Sequence, residues 1–277
     1  MRIHSEKTDK TCRKEGYMAG KRKETATVVL QKEIAKDIYD LRVKSGLATD
    51  CLPGQFAGIY PPSDAHLLMR PISICEAGSE GIIRFVYRIA GEGTALLSVL
   101  KEGDQVDVLG PLGNGFPLEE AKGKKVAVMG GGIGIPPMLY TAGQLKGISD
   151  RTEIYLGYRD ANLFLADEFK PFGEVVIATE DGSEGHKGNV LGALKERDFT
   201  PDVIMACGPM PMLRAIKKYA EENHITAFIS LEERMACGVG ACLGCVCKTV
   251  KKDEHSHVNN ARICTEGPVF DASEVEI

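Results

Sequence analysis

The sequence predicts a multidomain chain: an N-terminal antiparallel β-barrel, a central α/β doubly wound parallel sheet, and a small C-terminal module built around cysteines. Three observations predict it. Short β-prone runs fill the first part, short apolar strands alternate with helical stretches in the middle, and five of the nine cysteines crowd into residues 237–264.

From Glu24 to about Leu118 the runs Thr25–Leu30, Ile38–Val43, Ile82–Ile89 and Gln105–Leu109 have strand length. Gly, Pro and Asp clusters separate them, the texture of an antiparallel barrel or sandwich. After Lys122–Lys125 the texture changes. Val126–Met129 reads as a short buried strand, a Gly-rich turn follows, and a helix is expected from Pro136 to about Lys146. Ile154–Tyr158, Val175–Ala178 and Val203–Ala206 repeat the strand, with helical stretches such as Met210–Glu222 between them. That alternation indicates a parallel doubly wound sheet, a nucleotide-binding architecture. From about Leu231 the chain is rich in Cys and Gly, and a segment this short needs a metal or disulfides to supplement its core. The expected divisions are an extension over 1–23, the barrel over 24–120, the α/β domain over 121–230 and the cysteine module over 231–277.

Composition narrows the function. A net charge of −5 gives no broad basic field for phosphate backbones, so nucleic acid is not an expected partner. No apolar run approaches the roughly 18 residues that cross a bilayer, and the start lacks a signal-peptide core, so no membrane contact and a cytoplasmic location are expected. In a reducing compartment, clustered cysteines point to metal or redox chemistry more than to disulfides. Residues 1–24 carry eight Lys/Arg against four Asp/Glu and few large apolar side chains, the composition of a disordered extension. Met18 is an alternative start, which would leave 1–17 outside the native protein.

Cys237, Cys242 and Cys245 form C-x4-C-x2-C, and Cys264 follows after 18 residues. This is the plant-type [2Fe–2S] spacing. Gly238, Gly240 and Gly244 let the backbone approach a small anionic cluster and aim amides at it. Structural zinc is the competing reading, since Cys242 and Cys245 also make a C-x2-C pair, but zinc ligands usually come as two such knuckles. Cys247 is surplus to the spacing and reads as a neighbour. His255 and His257, beside Lys251, Lys252, Asp253 and Glu254, read as a solvated turn, not as Rieske-type ligands.

Gly130, Gly131, Gly132, Gly134 and Pro136 lie between a strand and a helix, where backbone N–H groups receive a pyrophosphate. The order departs from G-x-G-x-x-G because Pro137 takes the third glycine's place, and a tight turn that binds nothing is the plainer alternative. Cys207, Gly208 and Pro209 close another strand and belong beside the first loop in a doubly wound sheet. Cys207 either faces a nicotinamide or is a small buried hydrophobe. Arg159 and Asp160, after the second strand of this domain, leave the choice between NAD and NADP open. In the barrel, Arg70-Pro71-Ile72-Ser73, Tyr87-Arg88-Ile89 and Gly93-Thr94 offer guanidinium groups, a free amide and a hydroxyl for phosphate oxygens.

Taken together these motifs resemble the ferredoxin-reductase-type flavoproteins, in which R-P-x-S and a downstream G-T hold FAD on a barrel while G-G-x-G-x-x-P and C-G-P form the NAD(P) lobe. With Leu231–Cys245 and Cys264–Phe270 added, residues 24–277 resemble the electron-transfer subunits of dihydroorotate dehydrogenase B. The resemblance implies FAD along Arg70, Pro71, Ile72, Ser73, Tyr87, Arg88 and Ile89 with its diphosphate at Gly93 and Thr94. It implies NAD at the two nucleotide loops and a [2Fe–2S] cluster on Cys237, Cys242, Cys245 and Cys264.

It also implies a partner. The three parts consume the chain and leave no domain for an organic substrate, so an FMN-containing catalytic subunit would oxidise dihydroorotate, in a heterotetramer of two plus two. Electrons would then reach NAD⁺ through the cluster and FAD, a step in pyrimidine biosynthesis, with no acid or base from this chain. The rival readings are a reductase subunit for hydrogenase, sulfide or ferredoxin chemistry and a zinc-stapled nucleotide sensor.

Overall fold

The computed structural model describes residues 21–78, 80–252 and 257–277. The expectations for residues 1–20 and for His255 lie outside them.

Six strands close an antiparallel barrel in the order β1-β2-β5-β4-β3-β6. They are β1 (Arg22–Ala35), β2 (Ile38–Lys44), β3 (Phe56–Ile59), β4 (Arg70–Ala77), β5 (Ile82–Arg88) and β6 (Gln105–Leu112). Alternation puts Val28, Leu41, Val43, Ile74, Ile83, Phe85 and Val106 inside, all at most 3% exposed. Helix α1 (Glu92–Ser98), which no sequence periodicity announced, packs Leu97 into the same core.

The second sheet has seven strands ordered β10-β9-β8-β7-β11-β12-β15, the last being Val269–Asp271. Strands β7 (Lys125–Gly131), β8 (Arg151–Tyr158), β9 (Glu174–Thr179), β10 (His186–Lys187), β11 (Val203–Cys207) and β12 (Thr226–Ser230) run parallel. Helix α2 (Ile135–Leu145) covers one face, and α3 (Val190–Lys195) and α4 (Met210–Asn223) cover the other. Both faces of β7 are therefore apolar: Val126 and Val128 pack towards α2, Ala127 and Met129 towards α3 and α4.

The cysteine segment forms strands β13 (Val246–Thr249), β14 (Asn260–Arg262), β15 (Val269–Asp271) and β16 (Val275–Glu276). Three of them make a small sheet ordered β14-β13-β16, but β15 leaves it and pairs antiparallel with β12. The segment thus completes its core by borrowing: Cys245, Ile263, Cys264 and Val275 share one cluster with Phe56 and Met69 of the barrel and Ile229 of β12.

Barrel and parallel sheet are joined through α2, whose Tyr140 hydroxyl donates to the Cys51 carbonyl at 3.0 Å, and through Arg84 on β5, which reaches Glu168. Among the described residues no helix is long and apolar enough to cross a membrane.

Candidate functional site

The two nucleotide loops lie side by side because β7 and β11 are neighbours in register, Gly130 opposite Cys207. A Cβ on Gly134 would stand 2.4 Å from the Cys207 carbonyl oxygen, and one on Gly131 would stand 2.6 Å from Met212 Sδ. At Gly134, where the obstacle is backbone, only glycine permits this approach. Gly130 and Pro136 serve the packing instead: a Cβ on Gly130 would press on Ile135, and Pro136 is buried in the first turn of α2.

Both loops open onto a cleft of about 1320 Å³. That exceeds the roughly 300–1,000 Å³ that hold one drug-sized ligand, leaving room for a dinucleotide beside a second planar group. Gly131, Gly132, Gly134, Cys207, Gly208 and Pro209 form one wall. Arg70, Pro71, Ser73 and Arg88 form the barrel wall, and Gly244 of the cysteine loop completes it. Ile72 and Tyr87 do not line the cleft and pack on the barrel core instead. Tyr87 is 1% exposed in the barrel core, and its hydroxyl receives the Gln31 amide at 2.8 Å. Ile89, just past β5, is half-buried outside the cleft lining.

Gly93 lies under Arg70: a Cβ there would meet Arg70 Nε at 1.9 Å. This is a cradle that a side chain would fill. The Thr94 hydroxyl is engaged locally, accepting the Ala90 and Gly91 N–H groups and donating to the Gly91 carbonyl. It shapes the turn.

Cys207 lines the cleft half-buried; burial, aided by the charge of Glu232, pushes its thiol up to about 12. The group is therefore neutral at any physiological pH. Both sequence readings of Cys207 hold in part, since it is partly buried and also faces the ligand space.

The cysteine loop turns through Gly238, Leu243 and Gly240, all at positive φ. A Cβ on Gly238 would stand 2.2 Å from Met69 Cε, which seats the loop against the residue preceding Arg70. The four cysteines come together two and two. The Cys242 N–H donates to Cys237 Sγ at 3.4 Å, and the Cys245 thiol lies beside that of Cys264. Among the described residues no three His, Cys, Asp or Glu side chains converge on one point. Two irons taking two thiolates each suit paired cysteines. Although burial opposes it, the N–H groups of Val239 and Cys242 lower the Cys237 thiol to about 6. The Gly244 N–H donates to Cys242 Sγ at 3.4 Å, so backbone amides already face sulfur. Cys247 lies on β13 opposite Ala261, half-buried against the underlying core.

Residues 232–276 match the iron–sulfur cluster binding domain of dihydroorotate dehydrogenase B. The NAD(+)-type electron transfer subunit of that enzyme from Fusobacterium nucleatum is 42% identical over 92% of this chain and 98% of its own. The chain belongs to this family of electron-transfer subunits. The corresponding subunit from Shouchella clausii is 44% identical over 90% of this chain and 96% of its own. Among solved structures, an NADH-dependent reduced ferredoxin–NADP oxidoreductase matches with a TM-score of 0.81 and 29% identity over 94% of this chain and 91% of that one. A ferredoxin NADP⁺ reductase from Neisseria gonorrhoeae matches with a TM-score of 0.63 and 16% identity over 72% of this chain and 91% of its own, which bears on fold alone. Family membership decides against the zinc-stapled sensor. The subunits of this family carry an iron–sulfur domain, and here that domain shares its core with the barrel beneath the cleft.

Sequence reasoning missed Met69, Glu180 and Glu232, all of which line the cleft. Met69 directly precedes the Arg70–Ser73 run and Glu232 lies inside the Leu231–Cys245 stretch, so adjacency to those motifs was the available signal, whereas Glu180 reaches the site only because β9 flanks β8.

Proposed function

We propose that this chain passes electrons from an FMN-containing dihydroorotate dehydrogenase catalytic subunit to NAD⁺, as the electron-transfer component of a cytoplasmic complex of two plus two subunits. One observation carries the reading: the cysteine module, the Arg70–Arg88 wall and the two nucleotide loops border a single cleft. The divisions 24–120, 121–230 and 231–277 then correspond to flavin, dinucleotide and cluster portions. The bound FAD supplies the exchange between single electrons and a hydride pair that a [2Fe–2S] carrier and NAD⁺ require.

The residues of the chain position and insulate. Arg70, Pro71, Ser73 and Arg88, with Gly93, would hold FAD, while Ile72, Tyr87, Ile89 and Thr94 shape that wall from behind. Gly131, Gly132, Gly134, Gly208 and Pro209 would receive the dinucleotide, and Gly130 and Pro136 set the loop. Cys207 presents a neutral thiol to it, which neither attacks nor repels the nicotinamide. Cys237, Cys242, Cys245 and Cys264 would hold the cluster.

The test is reconstitution. The purified chain alone should oxidise NADH with an artificial dye yet leave dihydroorotate untouched, and adding the catalytic subunit should couple dihydroorotate oxidation to NAD⁺ reduction. Dihydroorotate turnover by the lone chain, or no coupling in the complex, would overturn the reading.

A further inference from the structure

The end of the cleft beyond the glycine loop is built from the carboxyl ends of β8 and β9, which pair in register with Tyr158 opposite Thr179. Four charged residues follow these two strands: Arg159 and Asp160 after β8, Glu180 and Asp181 after β9. The structure sorts them. Asp160 Oδ1 accepts the Asn162 N–H at 2.9 Å, and Asp181 Oδ1 accepts the Ser183 N–H at 2.9 Å and its hydroxyl at 2.6 Å. Both aspartates brace their own turns through Oδ1, and neither lines the cleft. Arg159 and Glu180 line the cleft, are exposed, and among the described residues make no side-chain hydrogen bond or ion pair.

In a doubly wound sheet the pyrophosphate sits at the first loop, near the switch point between β7 and β11, and the adenosine ribose extends over the end of the adjoining strand. Here that strand is β8. The acid that usually stands at its end is replaced by Arg159, a cation suited to bidentate pairing with a phosphate. Arg159 alone would favour a 2′-phosphorylated dinucleotide. The opposing carboxylate comes from the next strand.

We propose that Glu180 restricts the cleft to dinucleotides with a free ribose 2′-hydroxyl, acting against the pull of Arg159. A hydroxyl can donate to the carboxylate, whereas a 2′-phosphate brought between the two meets Glu180 as a like charge. The proposal rests on the reading above only in taking a nicotinamide dinucleotide as the ligand, and it is independent of which subunit supplies the electrons.

The experiment uses the full-length flavin-loaded chain and an artificial dye, with NADH and NADPH compared as reductants, so a failure to couple to dihydroorotate is a separate result. Glu180→Gln should raise the ratio of kcat/KM for NADPH to kcat/KM for NADH by about tenfold or more, the scale of one relieved like-charge contact. Adding Arg159→Gln should abolish that gain. Competition by adenosine 2′,5′-bisphosphate against NADH should tighten in Glu180→Gln in parallel. An unchanged NADPH/NADH ratio in Glu180→Gln, an equal loss with both reductants, or a gain that survives Arg159→Gln would overturn the assignment.

Discussion

Arg70 and Gly93 share one space: a Cβ on Gly93 would stand 1.9 Å from Arg70 Nε and 2.2 Å from its Nη2. Arg70 opens β4 and Gly93 lies in α1, so barrel closure brings the guanidinium over a backbone that has no side chain to block it. One guanidinium nitrogen is held by the Leu68 carbonyl at 2.7 Å, which leaves the rest of the fork for a ligand. Gly93→Ala should fold normally, because the obstructed group is the end of a long side chain, but it should displace Arg70. FAD affinity should fall about tenfold, the loss of roughly one charge-assisted hydrogen bond. Fluorescence titration of the flavin-free protein measures it, and unchanged affinity would remove Arg70 from the flavin site.

The pairing of Cys237 with Cys242 and of Cys245 with Cys264 leaves Cys247 outside, half-buried against the core on a strand whose Val246 and Lys248 are exposed. Cys247→Ser should therefore retain the visible cluster spectrum and acid-labile sulfide. Cys264→Ser should lose both. Loss of absorbance in Cys247→Ser would show the ligand set to be wrong.

What the sequence disclosed and what it hid divide along chain distance. The adjacency of Gly134 and Cys207 was legible because each loop follows a buried strand, and two such strands in a doubly wound sheet bring their carboxyl ends to one crevice. The departure of β15 from its own module was not. Three residues, Val269–Asp271, are too few to show periodicity, and their partner Thr226–Ser230 lies across the whole cysteine loop. Asp160 next to Arg159 looks like a discriminating acid until its bond to Asn162 is seen, and Glu180 gains meaning only once β9 is known to flank β8. The pairing of Arg84 with Glu168 is hidden for the same reason.

Arg84 is 4% exposed on β5 and joins Asp40 and Glu76 of the barrel to Glu168 of the α/β domain. Burial alone would lower its pKa, but Glu168 and Asp40 raise it, so it stays charged. Arg84→Leu leaves Asp40, itself 3% exposed, with Arg42 as its remaining guanidinium partner. Stability should fall by up to about 3 kcal/mol, the low end for removing one member of a buried pair. Glu168→Gln, at a half-exposed position, should cost no more than about 1 kcal/mol. Because that residue fastens two walls of the cleft, it should raise the KM for NAD⁺ more than it lowers kcat. Urea denaturation and steady-state kinetics separate the two effects, and an unchanged KM would confine Glu168 to stability.

Alkaline pH should destabilise the protein through groups that cannot ionise in place. Burial, above all, pushes Cys51, Tyr87 and Tyr140 up to about 12, from ordinary values of 9.0 for the thiol and 10.0 for the phenols. The unfolded chain releases these protons at the ordinary values while the folded chain holds them. Their contribution is thus fully present below about pH 9 and is lost progressively as pH rises to about 12, by up to about 1.4 kcal/mol per group for each pH unit. Tyr140→Phe is the discriminating variant. It sacrifices the bond to the Cys51 carbonyl, so it should be less stable at pH 7, yet its stability should fall less steeply between pH 9 and 11 than that of the wild type. Urea unfolding at a series of pH values measures both, and parallel curves would mean that Tyr140 does ionise within the fold.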